Sequence, residues 1–332
     1  MDADLARNFI KQALAMANNY LWTGRFNKAI EVIGQVGKID PDNDLARRMM
    51  SRIIGGSPPE PDPEFGAFWR GEPLNGKSIE VFCDQGMGDT INILRYLKQM
   101  KERWSCRIVV NYYAFHAEFA RLMGRLPDYI DDFVQMHRKC DYFTNIVSIP
   151  ALMNGLKFDV YYPAHWQALL DTPIPPQPVL SEFPAMFSEP AFRVGLAWKS
   201  NADNPISAKK SVPIQEFAIL EDGINELYAV IPDKERYNMM VQYALNDLVD
   251  TAELISNLDV VVSVDTVTLH LAGALGKKTL GLLPHVADVR WGLGTSTVWY
   301  PSVELFRQPE NLDWSIPLRQ IKQRLESLRS VV

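Results

Sequence analysis

Residues 259–283, DVVVSVDTVTLHLAGALGKKTLGLL, decide the fold. Asp259 to Val264 is apolar at nearly every position, the pattern of a strand covered on both faces, as strands in a parallel sheet between helices are. The polar pair Asp265-Thr266 interrupts it, Thr266 to Leu275 reads as a helix, and Thr279 to Leu283 as a second buried strand. Strand, helix and strand in so short a stretch describe one crossover of a parallel α/β sheet.

The same alternation recurs upstream. Phe192 to Trp198 and Leu227 to Ile231 read as strands, and Thr251 to Asn257 as a helix. Earlier, Ser78 to Cys83 and Arg107 to Val110 are strands, followed by helices at Thr90 to Arg103 and near Phe115 to Met123. Two doubly wound α/β units follow, parted by the proline-rich stretch Thr172 to Pro178, which neither a helix nor a central strand tolerates. A second such stretch, Gly55 to Pro63, precedes the first unit. From Asp4 to Ile54 apolar residues recur at helical spacing. Residues 18–43 approximate one tetratricopeptide repeat, with Leu21, Gly24, Phe26, Ala29 and Pro41 at its core, turn, packing, contact and stop positions. A single repeat does not bury its own face, so it is expected to dock in cis, on a second copy or on a protein partner. The expected division is a helical region over 1–56 and α/β units over 64–185 and 190–332, with Ile316 to Leu328 a final helix packing back.

At 332 residues, with 47% hydrophobic and 22% charged side chains, the chain suits two folded domains, which excludes a disordered or fibrous protein and a lone binding module. Forty acidic against 34 basic residues leave a net charge of −6, so bulk attraction to nucleic acid or an anionic membrane is excluded and only a local patch could serve. The candidate patch is the helix bearing Arg95, Lys98, Lys101 and Arg103, whose default reading is a solvated face. Cys83, Cys106 and Cys140 are odd in number and form no C-x-x-C, which fits a reducing compartment. No signal core opens the chain and no apolar run approaches the roughly 20 residues of a membrane span, so a cytoplasmic protein is expected.

Ligands of open α/β sheets bind beyond the carboxyl ends of the strands, so the strand-to-helix turns carry the candidate chemistry. In Asp84-Gln85-Gly86-Met87-Gly88-Asp89-Thr90, the turn glycines Gly86 and Gly88 permit close backbone approach and Asp89 opens the helix. The same residues are also what an ordinary helix cap requires. In Ser263-Val264-Asp265-Thr266, the helix N-terminus offers unpaired N–H groups to a phosphate, Thr266 adds a hydroxyl, and Asp265 either caps the helix or accepts from a sugar hydroxyl. His270 lies one turn further in, where a packed core residue is the plainer role. The polar loop 199–211 brings Lys199, Lys210 and Ser211 to the same sheet edge, where a lysine could neutralise a diphosphate and where a solvated loop is the ordinary alternative. Trp291, Trp299, Tyr300 and Trp314 read mostly as packing, with one of them a candidate for a nucleotide-base pocket. No P-loop, H-E-x-x-H, G-x-S-x-G or complete G-x-G-x-x-G is present, which removes support for a P-loop ATPase, a zincin, a serine hydrolase and an ordinary dehydrogenase.

Three blocks in order, WRGEPLNGKSIEVFCDQGMGDTINILRYL, VGLAWKSNADNPISAKKSVPIQEF and LDVVVSVDTVTLHLAGALGKKTLGLLPHVADVRWGL, resemble the tetratricopeptide-repeat glycosyltransferase-like proteins. These are related to bacterial heptosyltransferases and, more distantly, to O-linked N-acetylglucosamine transferases. The resemblance covers residues 66–330. It implies a GT-B fold, two Rossmann-like domains facing a cleft, with the acceptor on the N-terminal domain and a nucleoside-diphosphate sugar on the C-terminal one. It also implies an inverting transfer with no metal or other cofactor. Carried over by position, Asp89 is the catalytic base. Lys210, with Lys199 and Ser211, meets the donor phosphates, and Ser263, Asp265, Thr266 and His270 form the phosphate- and sugar-binding turn. Pro284, His285 and Trp291 are the candidate base pocket. The resemblance leaves open whether the donor carries ADP, UDP or GDP, and whether the acceptor is a glycan, a protein or a modified nucleic-acid base. The chain departs from its relatives at Ile231-Pro232, where they often carry a glutamine, and around 141–145, which lacks an expected histidine or glutamine.

Two other readings compete. A degenerate transferase fold could act as a non-catalytic scaffold through its helical region, and would be indifferent to changes at Asp89 and Lys210. A transferase acting on a hydroxylated nucleic-acid base would use the 95–103 helix as its patch and bind DNA with steep salt dependence.

Overall fold

The computed structural model describes residues 6, 9–14, 16–17, 26–41, 43, 46, 66–83, 86–112, 121–122, 125, 129–154, 174–176, 183–200, 209–231 and 238–330. The proline-rich stretch at 55–63, most of that at 172–178, most of the helix expected near 115–123 and residues 201–208 lie outside the described residues.

The chain divides into two compact units. The first comprises 1–85, 96–114 and 128–173, and the second comprises 86–95, 115–127 and 174–332. The start of the helix Met87–Trp104, bearing Gly88 and Asp89, thus groups with the second unit.

In the first unit the strands are β1 (Ala67–Phe68), β2 (Ser78–Phe82), β3 (Arg107–Asn111), β4 (Asp132–Val134) and β5 (Tyr142–Asn145). They pair in the order β1-β5-β2-β3-β4, and every pairing is parallel. β2 and β3 match the expected strands, whereas β1, β4 and β5 are two to four residues long and gave no pattern to read. β2 is buried beyond its first residue, Glu80 included. That carboxylate accepts from Asn111 Nδ2 at 2.8 Å and the Arg138 amide at 3.1 Å, and it pairs with His137. Burial pushes Glu80 up from the usual carboxylate range against these three contacts, so the group is costly and held only because each oxygen is satisfied.

Near the N-terminus, the helix Phe26–Ile39 buries Ala29, Ile33 and Val36 with Ala13, Leu14, Ala17 and Ala46. Asn43 Oδ1 accepts from the Ala46 amide at 3.0 Å, a local cap where the 26–39 helix has ended. Residues 18–25, including Leu21 and Gly24, lie outside the described residues, so a repeat-like hairpin is not shown.

The second unit holds β6 (Arg193–Ala197), β7 (Glu226–Ala229), β8 (Val241–Gln242), β9 (Val260–Val264), β10 (Thr279–Leu283) and β11 (Val303–Arg307). Their order is β11-β10-β9-β6-β7-β8, again all parallel. β9 and β10 are buried at all five positions, as their mostly apolar runs require. The helices Leu248–Ser256 and Val267–Ala274 precede and follow β9, and the 267–274 helix packs on β9 and β10. Asp247 caps the former by accepting from the Val249 and Asp250 amides. The last helix, Ser315–Arg329, buries Pro317, Leu318, Ile321 and Leu325 and packs on the Ile214–Leu220 turn and β11. No helix among the described residues is long and apolar enough to cross a membrane.

Candidate functional site

Register places three adjacent strands of the second unit side by side: Ala197 of β6 opposite Ser263 of β9, and Val264 opposite Leu282 of β10. Their carboxyl ends therefore open on one edge, and each following loop brings charge to it. The segment after β6 supplies Lys199, Lys210 and Ser211, that after β9 supplies Asp265 and Thr266, and that after β10 supplies Asp288 and Arg290. Asp89 joins them from the 86–95 segment of the same unit.

Asp89 is the third residue of the Met87–Trp104 helix, so the helix starts earlier than the sequence suggests and Asp89 is not its cap. Its Oδ2 reaches back to accept from the Gly86 amide at 3.0 Å, the return contact of a capping box. Its Oδ1 accepts from Nη1 of Arg290. The structural role and the ion pair thus use different oxygens. Arg290 also meets Asp288, with Nε 3.1 Å from Oδ1 and Nη2 donating to Oδ2 at 3.1 Å, a two-point clamp that only a guanidinium fits. Burial pushes Asp288 up, but the Arg290 charge and hydrogen bonds, with help from Lys210, outweigh it and hold the carboxyl below its ordinary range.

Lys210 Nζ lies 2.6 Å from Oδ2 of Asp265, a residue only 5% exposed. Ser211 Oγ accepts from the Ser200 amide at 3.0 Å. Lys199 is exposed. Thr266 caps the 267–274 helix in extended backbone without a side-chain cap bond, while its carbonyl accepts from the Leu269 amide at 3.0 Å. The first-turn amides there are the anion-binding groups of a helix start. Ser263 is fully buried, and its hydroxyl is spent on the Val264 carbonyl at 2.8 Å, so it supports the turn from behind.

His270 is 4% exposed and surrounded by these charges. Burial lowers its pKa to about 4, Arg290 and Lys210 push the same way, and Asp265 and Asp89 oppose. The imidazole is therefore neutral at ordinary pH. Relative to 6.5 in an unfolded chain, the folded state binds fewer protons between the two values. Stability present above pH 6.5 is thus lost as pH falls toward 4, by about 3 kcal/mol in all. Urea midpoints of the parent should drop between pH 7 and 5, and those of His270→Gln should drop less. Parallel profiles would refute the assignment.

The three candidate base-pocket residues differ in exposure. Trp291 is buried at 1% exposure with its ring 5.1 Å from that of His270, so it packs the histidine. Pro284 is buried, while His285 is exposed and its amide donates to Gln308 Oε1 at 3.3 Å. The basic-patch reading also needs correction. Arg95 is 2% exposed and donates to the Asn92 and Trp299 carbonyls at 2.9 and 2.8 Å, and Lys101 pairs with Asp131 at 2.5 Å. Arg95 anchors packing and does not face solvent. Asp288 and Arg290 escaped the sequence reading, although an Asp-x-Arg following the carboxyl end of β10 was the signal that the sheet-edge rule points to.

Residues 228–311, which include β9, β10, Asp265, His270 and Arg290, match glycosyltransferase family 9 (heptosyltransferase). The protein FlbA of Caulobacter vibrioides is 25% identical over 277 residues, 73% of this chain and 45% of that protein, so the chain spans less than half of its relative's length. Among solved structures, the iron-containing dodecameric glycosyltransferase TibC of enterotoxigenic E. coli aligns with a TM-score of 0.55 at 13% identity, over 79% of this chain and 78% of that one. E. coli ADP-heptose lipopolysaccharide heptosyltransferase II aligns with a TM-score of 0.52 at 14% identity, over 76% and 98%. The parallel α/β fold is that of these GT-B neighbours, and likeness to an O-linked N-acetylglucosamine transferase is distant. Family segment and fold together support a glycosyltransferase.

Proposed function

We propose that the chain transfers a sugar from a nucleoside-diphosphate donor to an acceptor hydroxyl, with inversion and without a metal ion. The observation that carries this reading is the convergence of Asp89, Lys210, Asp265 and Arg290 around a neutral, buried histidine at one sheet edge. Transfer needs a base for the acceptor proton and a counter-charge for the departing diphosphate. Asp89 is the base: the carboxylate takes the hydroxyl proton as the acceptor oxygen attacks the anomeric carbon. One displacement from the face opposite the leaving group inverts that carbon.

Lys210 and the first-turn amides at Thr266 receive the diphosphate, which supplies locally what a metal would otherwise supply. Lys210 is already paired with Asp265, so donor binding exchanges one partner for another. The carboxylate freed by that exchange is placed to accept from a sugar hydroxyl. Arg290 orients Asp89 through the clamp on Asp288. The acceptor is a hydroxyl-bearing glycan, protein or modified base, and the three buried cysteines fit a cytoplasmic setting.

Thermal stabilisation by ADP, UDP or GDP, and donor turnover with the matching sugar, test the reading directly. No response to any nucleotide or donor would sink it. Lys210→Met should weaken nucleoside diphosphate binding by about tenfold to a hundredfold while leaving binding of the unphosphorylated nucleoside unchanged. Equal losses for both ligands would place Lys210 outside the phosphate site.

A further inference from the structure

The Gly88, His270, Tyr300 and Gly273 positions interlock. A Cβ at Gly88 would sit 2.5 Å from Cδ2 and 3.2 Å from both Cγ and Nε2 of His270, so glycine there lets the Cδ2 corner of the imidazole lie against the turn with Nε2 beside it. A Cβ at Gly273 would sit 2.5 Å from Cγ of Tyr300, so glycine there lets the phenol lie against the helix that bears His270. The phenol oxygen consequently reaches Nδ1 of His270, one turn earlier on that helix, at 3.0 Å. Both rings are buried, and Trp291 closes on the histidine. All of these residues belong to the second unit.

The direction of this hydrogen bond decides the chemistry of the ring. A neutral imidazole has one N–H, and a partner on one nitrogen fixes what the other presents. Tyr300 keeps its proton, since burial pushes the phenol up. Arg95 lies over its ring with Cζ 5.2 Å from the centroid, held there by the Trp299 carbonyl. A fixed guanidinium turns the phenol oxygen toward itself and the hydroxyl hydrogen away, toward the histidine.

We propose that Tyr300 is a positioning residue: its hydroxyl donates to Nδ1 of His270 and holds the ring as the Nε2–H tautomer, with Nε2 beside the Gly88 turn as a fixed donor to an oxygen of the bound nucleotide sugar. This rests on the glycosyltransferase reading for its ligand, but the tautomer itself does not. A neutral donor suits the place. It contributes a hydrogen bond to developing charge without adding a third cation beside Lys210 and Arg290, and its direction is set before substrate arrives.

The test uses the full chain, labelled with ¹⁵N-histidine, and reads two-bond ¹H–¹⁵N correlations of His270 at pH 7 without substrate. His270→Gln identifies its signals among those of the five histidines. The expected pattern in the parent is a pyrrole-like Nε2 and a pyridine-like Nδ1. In Tyr300→Phe the two nitrogen shifts should move toward each other as both tautomers become populated. A pyrrole-like Nδ1 in the parent, or an unchanged pattern in Tyr300→Phe, would overturn the proposal whether or not sugar is transferred. Where a donor turns over, Tyr300→Phe should lower kcat about tenfold with little change in donor KM. His270→Gln, which can place an amide N–H where Nε2–H stood, should keep more activity than His270→Asn, which should lose about a hundredfold. Equal activity of the two would overturn it as well. If no nucleotide binds, the functional reading fails while the tautomer result stands.

Discussion

The Asp89→Asn variant is expected to bind nucleoside diphosphates as the parent does and to transfer sugar about a thousandfold more slowly. The two oxygens of Asp89 do separate jobs, and the substitution separates them. An amide oxygen still accepts from the Gly86 amide, so the helix start survives, and Arg290 keeps its contacts with Asp288. What disappears is the carboxylate that takes a proton. A loss in kcat with unchanged nucleotide affinity is therefore the signature of a base, since uniform binding would appear in KM. Full transfer activity in Asp89→Asn would remove the base assignment. Indifference of every measurable function to both Asp89→Asn and Lys210→Met would favour a scaffold with a degenerate site.

How much of this was legible beforehand depended on whether a residue's role is set by its neighbours in sequence. β9 and β10 are buried at every position and mostly apolar, and such strands are read directly from the chain. The turn bearing Asp265 and Thr266 follows from where β9 stops. The short strands β1, β4 and β8 hold two or three residues, too few to show alternation, and exist because a longer neighbour offers them a ladder. Glu80 looks like the outward residue of an alternating strand, yet its partners at Asn111 and His137 are 31 and 57 residues distant and let it be buried. Arg95 looks like one member of a basic stripe, but carbonyl partners as far away as Trp299 draw it inward. Asp89 was recognisable from its turn, whereas its counter-ion lies 201 residues on. Pairings of that length are set by the sheet order, which no local pattern contains.

That distant counter-ion makes Arg290 the position where stability and catalysis are most tightly joined. Arg290→Ala would leave Asp89 and Asp288 facing each other, both largely covered, without the cation between them. Breaking a buried ion pair on one side costs about 4 kcal/mol, because the remaining charge stays desolvated. The melting temperature should fall by about ten degrees for a unit of this size. Asp288→Asn in the same background removes one of the stranded charges, so the double variant should be less destabilised than the sum of its singles, and strict additivity would show that the clamp carries no coupling. Arg290→Lys separates the two roles. An ammonium can satisfy one carboxylate but cannot span both with the geometry of a planar fork. The lysine variant should therefore recover most of the stability and little of the transfer rate, with nucleotide affinity unchanged. Recovery of full kcat by lysine would mean that the site needs only a positive charge near Asp89, and that the orientation imposed through Asp288 is irrelevant to the base.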